Sequence, residues 1–143
     1  MTARFKEEII PWLFKWEGTT YENDPDDAGG ETKYGIDKRS HSHVNIRDLT
    51  AGEAASIYWT EYLNLHCDQY PPPMDWIFFN ACVNCGIDRA VKLMRGSAAN
   101  PAKFLDLQNM FYRTLAHSRP SSMKYLKGWL ARTEDLRKIC GLV

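Results

Sequence analysis

The thirteen residues MDWIFFNACVNCG, at 74–86, are apolar almost all the way round a helical wheel. A helix without a polar face is stable only when other elements cover it. The chain must therefore wrap further structure around this segment. Pro71-Pro72-Pro73 forms a stiff, extended break before it, and Gly86 stops it.

The covering elements read as helices too. In residues 5–16 the apolar positions 5, 9, 10, 12, 13, 14 and 16 fit a core helix better than a strand. Pro11 falls inside it and predicts a kink or two short helical pieces, since an interior proline loses a hydrogen bond and clashes with the preceding turn. Gly18 is a natural stop, which puts Glu17 at the helix end. Thr50 and Glu53 have capping-box spacing ahead of AGEAASIYWTEYL, with Ala54, Ile57, Tyr58 and Tyr62 on one face. DRAVKLMRG predicts a short helix closed by Gly96. Asn100-Pro101 opens another as N-cap and first helical residue, running through Leu115. Residues 120–130 and 133–139 predict two more. Any strands are confined to 19–36. The expected fold is α+β, predominantly α-helical, as one domain over 1–143 with a small loop or hairpin at 19–36.

At 143 residues the chain suits one hydrophobic core. It carries 18 Lys+Arg and 18 Asp+Glu, unevenly placed. Residues 1–75 hold 7 basic and 14 acidic side chains, a balance of −7, and residues 76–143 hold 11 and 4, a balance of +7. Such halves can attract each other, or set a basic surface beside acidic groups and so hold an anionic polymer. No dense basic cluster with base-reading motifs appears, which disfavours nucleic acid as a partner. No run approaches a membrane span. The N-terminus MTARFKEEII lacks the apolar core of a signal peptide, so reduced thiols are expected at Cys67, Cys82, Cys85 and Cys140.

The acidic stretch EGTTYENDPDDAGGETKYGI, at 17–36, holds six carboxylates in a segment that cannot form a regular helix. It is either a solvated turn or a site. A calcium loop starting at Asp24 fits at Asp26 and Gly29 but finds Ala28 and Gly35 where ligands are required, so that motif is rejected. Paired-carboxylate chemistry fits better. Hydrolysis of a glycosidic bond needs one acid to protonate the leaving oxygen and one carboxylate to activate water or stabilise positive charge on the sugar. Glu17 beside Trp16, at an apolar helix end, favours the protonated form. Asp24, Asp26 and Asp27 lie in a polar turn with Gly29-Gly30, where a carboxylate stays charged. Chemistry alone does not choose among the three; Asp24, before Pro25, also suits capping of the turn.

The spacing Glu17-x8-Asp26-x5-Thr32 resembles the Glu/Asp/Thr triad of bacteriophage-type lysozymes. The fuller pattern EG-x-x-Y-x-NDPDD-x-GGETKYGI resembles the signature of the glycoside hydrolase family 108 N-acetylmuramidases. LTAGEAASIYWTEYL, FFNACVNCGIDRA and R-x-L-A…LKGWLAR resemble later segments of the same family, so the likeness covers most of the chain. Thr19-Thr20 stand where the family usually has Gly-Tyr after Glu-Gly, and its usual peptidoglycan-binding segment is shortened. The resemblance implies a lysozyme-like fold and cleavage of the β-1,4 bond between N-acetylmuramic acid and N-acetylglucosamine in peptidoglycan. It implies Glu17 as general acid, Asp26 as the carboxylate that directs water or stabilises the transition state, and Thr32 as the holder of that water. No cofactor or metal is called for. The expected partner is the glycan strand, met by a monomer that reaches the wall through a holin-like pore or a dedicated secretion route.

The remaining candidates carry competing structural readings. Tyr21 and Tyr34 suit stacking on saccharide rings, or packing with an exposed hydroxyl. Asn80 and Asn84 lie one helical turn apart in an apolar helix. A structural hydrogen bond competes there with a place on a cleft floor, and the resemblance favours Asn84 as substrate-binding. Gly29, Gly30 and Gly35 suit turns or a close approach to a sugar. Cys82-x-x-Cys85 has no second pair, and His41, His43 and His66 lack ligand spacing to it, so core thiols are expected rather than zinc.

Overall fold

The computed structural model describes residues 1–26 and 28–142. It is α+β and predominantly helical, as expected, and divides into two compact units, Met1–Asn64 and Leu65–Val143.

The first unit begins with a π-helical turn, Phe5–Ile9, that runs directly into α1 (Ile10–Glu17). Pro11 explains the change of helix type. The Ile10 N–H reaches back to the Phe5 carbonyl, and Pro11 then occupies the first turn of α1, where a missing donor costs least. The expected kink is thus a switch of hydrogen-bond register within a continuous helical run. Three short antiparallel strands follow, β1 (Glu22–Asn23), β2 (Glu31–Lys33) and β3 (Ile36–Asp37), in the order β1-β2-β3. Lys33 pairs with Ile36, and the two residues between them, Tyr34 and Gly35, both have positive φ, 55° and 79°. That is the two-residue hairpin turn whose twist matches the strands. Next comes α2 (Ala51–Asn64), opened by the expected capping box. The Glu53 N–H donates to Thr50 Oγ1 (3.1 Å), and the Thr50 N–H donates to Glu53 Oε1 (3.3 Å).

The core of this unit holds Phe5, Ile9, Leu13, Ile36, Ile46, Leu49, Ala54, Tyr58 and Tyr62. Phe5 packs on Trp59 and Tyr62, each at a 5.0 Å ring separation. Phe14 packs on Tyr34 at 4.8 Å. His41 ties the segment after β3 to α2 through Nε2 and Glu61 Oε1, 2.8 Å apart.

The second unit holds α3 (Met74–Cys85), α4 (Ile87–Ser97), α5 (Pro101–Ser118) and α6 (Met123–Ile139). The all-apolar segment behaves as its composition demands: every residue of α3 from Met74 to Cys82 is buried. Before it, the Met74 N–H donates to the Pro71 carbonyl (2.9 Å), so the proline run closes a turn where an extended break was expected. Met74 carries the first free N–H after three residues that have none.

Two helix ends differ from expectation. Gly96 does not close α4; the helix passes through it and stops at Ala98 and Ala99, which adopt left-handed φ of 52° and 59°. Gly96 instead lets α5 approach, since a Cβ there would sit 3.1 Å from Leu107 Cδ1. The two C-terminal helices expected at 120–130 and 133–139 are one, α6, entered through a 3-10 turn at Pro120–Ser122. Arg132 lies within that helix, 4% exposed, and donates from Nε to Asn80 Oδ1 (2.9 Å). A buried cation so held anchors α6 to α3 at the point where the sequence suggested a break. All four cysteines are free thiols.

Candidate active site

Glu17 is the last residue of α1, and Gly18 turns the chain away there. Gly18 has φ 83°, and its N–H donates to the Phe14 carbonyl (2.9 Å). The half-buried Glu17 side chain lies against the β2–β3 turn. A Cβ built on Gly35 would sit 2.9 Å from both Cβ and Cγ of Glu17 and would collide with the Tyr58 hydroxyl. Gly35 therefore combines the two readings that its sequence left open: a turn requiring positive φ, and a close approach. Tyr58 secures the turn by donating its hydroxyl to the Tyr34 carbonyl (2.7 Å).

Around this contact lies a cavity of about 230 Å³, lined by Glu17, Gly18, Thr20, Glu22, Thr32, Lys33, Tyr34 and Gly35. The structure thus gathers Glu17 from the end of α1 and Thr32 and Tyr34 from β2 and the turn after it. The Tyr34 ring is backed by Phe14, and Lys33 Nζ stands 5.7 Å from its centre.

The other predicted residues lie elsewhere. Asp26 is exposed in the β1–β2 turn and is not among the lining residues; its N–H donates to Asp24 Oδ1 (2.9 Å). Asp24 is therefore the turn cap that its place before Pro25 suggested. Asp27 lies outside the described residues. Tyr21 donates its hydroxyl to Glu31 Oε1 (2.6 Å), with the Arg47 guanidinium 4.9 Å from its ring centre. The hydrogen bond to Glu31, followed by desolvation, raises the Tyr21 pKa. Asn84 belongs to the second unit, where its Oδ1 accepts from the Tyr112 hydroxyl. That hydroxyl also receives Gln108 Nε2 (3.0 Å) and the Cys85 thiol (3.2 Å).

Glu22 is the lining carboxylate that sequence reasoning missed. It stands directly opposite Thr32 in the β1–β2 register, a relation no local motif encodes. Two larger depressions occur among the described residues, of about 670 Å³ beside His43 and Asp48 and about 570 Å³ between α4 and α5. In the first, Asp48 accepts from Asn45 Nδ2 (3.0 Å) and Glu53 serves the capping box, so its carboxylates are engaged structurally. The second is lined by basic, apolar and hydroxyl side chains without a carboxylate. Among the described residues no three His, Cys, Asp or Glu side chains converge as a metal site, and no helix is long and apolar enough to cross a membrane.

Residues 10–86, which contain this cavity's entire lining, match the glycosyl hydrolase 108 family. The chain belongs to that family. Its membership supports a glycoside hydrolase of the peptidoglycan-hydrolase type. The solved structure of SagA from Brucella abortus shares the fold, with a TM-score of 0.73 at 22% identity over 96% of this chain and 94% of that one. No curated protein matches the chain.

Proposed function

We propose that this family 108 protein is an N-acetylmuramidase, hydrolysing the β-1,4 bond between N-acetylmuramic acid and N-acetylglucosamine in bacterial peptidoglycan. One observation carries the reading: Glu17 at the end of α1 and Thr32 in β2 wall the same small cavity beside a glycine that admits the Glu17 side chain.

In this reading Glu17 protonates the leaving glycosidic oxygen. Thr32 holds the attacking water, because one hydroxyl both donates and accepts. Asp26, on the turn that joins β1 to β2, directs that water with Thr32 to the opposite face of the sugar ring, giving inversion. Inversion requires about 6.5–9.5 Å between the two carboxyl groups, room for a water that the 5–5.5 Å of retaining enzymes does not leave. Tyr34 offers its ring to a saccharide, and Tyr21 is a further proposed substrate contact. The whole chain serves as one muramidase domain, acting as a monomer at the cell wall after leaving the cytoplasm by a holin-like or dedicated route.

Turbidity loss of purified cell walls tests the reading, with Glu17→Gln in parallel. Lysis by the native protein and a loss of at least 100-fold in the variant are expected, since positioned acid–base groups contribute about 10²–10⁴ in rate. Wall binding without lysis by the native protein would instead identify a non-catalytic wall-binding or secretion-assisting member. Retained configuration at the new reducing end would overturn the stereochemical part.

A further inference from the structure

Among the described residues, one carboxylate lining the cavity has no task in this mechanism. Glu22 in β1 faces Thr32 in β2 as its register partner, and residues paired across antiparallel strands project from the same face of the sheet. Both line the cavity that Glu17 lines. Asp26 lies four residues further on, exposed in the turn and absent from the lining. Among the described residues, the carboxylate in register with the proposed water-holding hydroxyl is therefore that of Glu22. Glu22 is itself exposed.

We propose that Glu22 is a further catalytic carboxylate, the group that takes the proton from the water held by Thr32. This rests on the muramidase reading. In the step, the water oxygen forms a bond to the anomeric carbon as the bond from that carbon to the glycosidic oxygen breaks. The leaving oxygen takes the Glu17 proton and the Glu22 carboxylate takes one proton from the water. Glu22 then releases its proton to solvent and Glu17 is reprotonated, so the net reaction is addition of one water. Asp26 helps to orient the water; Glu22 receives its proton.

The test compares Glu22→Gln, Asp26→Asn and Glu17→Gln on soluble peptidoglycan oligosaccharides, with circular dichroism confirming the fold. Because Glu22 is exposed on a two-residue strand, its substitution leaves the core untouched. The expected result is a fall in kcat of about 100-fold or more for Glu22→Gln, with KM within twofold of native. A lost structural contact would not respond to a small anion. Azide added to Glu22→Ala should restore cleavage and appear in the product as a glycosyl azide of inverted configuration, its nitrogen replacing the water oxygen. A Glu22→Gln kcat within threefold of native, with Glu17→Gln inactive, overturns this proposal and leaves the muramidase reading standing. A fully active Glu17→Gln overturns both.

Discussion

Glu17 is positioned by a neighbour that has no side chain. Gly35 has φ 79° and lies where any Cβ would meet Cβ and Cγ of Glu17 at 2.9 Å. Left-handed backbone costs a non-glycine residue about 1–2 kcal/mol, and the contact must be relieved by moving the acid itself. Gly35→Ala is thus expected to lower stability by about 2 kcal/mol, read from urea denaturation, and to reduce muralytic activity by more than the unfolded fraction explains. A second residue-scale dependence concerns the buried Arg132. Asn80 Oδ1 accepts its Nε–H inside the second unit, and hydrogen bonds to buried charged groups contribute about 1.5–3 kcal/mol. Asn80→Ala should therefore shift the urea midpoint by a corresponding amount. Asn80 was legible as a buried asparagine needing a partner, but Arg132, 52 positions away, was not.

Elements were legible where local chemistry decides them. The Thr50–Glu53 box and the Asn100 cap, whose Oδ1 accepts from the Lys103 N–H at 2.9 Å, form as their spacing requires. Thr50→Ala removes the hydroxyl that accepts from the Glu53 N–H at the start of α2 and should cost about 1 kcal/mol. That corresponds to roughly 3–5 °C in Tm for a chain of this size, and calorimetry should find it with activity at 25 °C unchanged, because the cap lies outside the cavity lining. Tertiary packing decided the remaining elements. Gly96 looks like a stop in isolation, yet Leu107 on α5 fills the space a side chain would need. The sequence reads as two helices parted at 131–132, yet Arg132 and Thr133 are buried within α6. The site divides in the same way. Glu17 could be named from its place at an apolar helix end and Thr32 from the family resemblance, whereas Glu22 emerges only from strand register, which two- and three-residue strands do not announce.

At the scale of the whole molecule, the buried thiols make stability depend on alkaline pH. Desolvation is the largest cause raising the thiols of Cys67, Cys82 and Cys85, with Cys82 pushed up to about 12. Tyr112 is raised by burial in the same unit. Each group binds its proton more tightly folded than unfolded. Their contribution is therefore complete below the ordinary thiol range and declines as pH rises from there toward the folded values. Melting experiments between pH 8 and 11 should show a steepening loss of Tm above about pH 9, approaching 1.4 kcal/mol per pH unit for each thiol whose unfolded form has ionised. The central claim concerns which bond the Glu17 cavity breaks, and mass analysis of the fragments released from purified sacculi tests it most directly. Disaccharide-peptide fragments ending in reducing N-acetylmuramic acid are expected with the native protein and none with Glu17→Gln. Fragments cut only within the peptide stems, or the same glycan fragments released equally well by the variant, would contradict it.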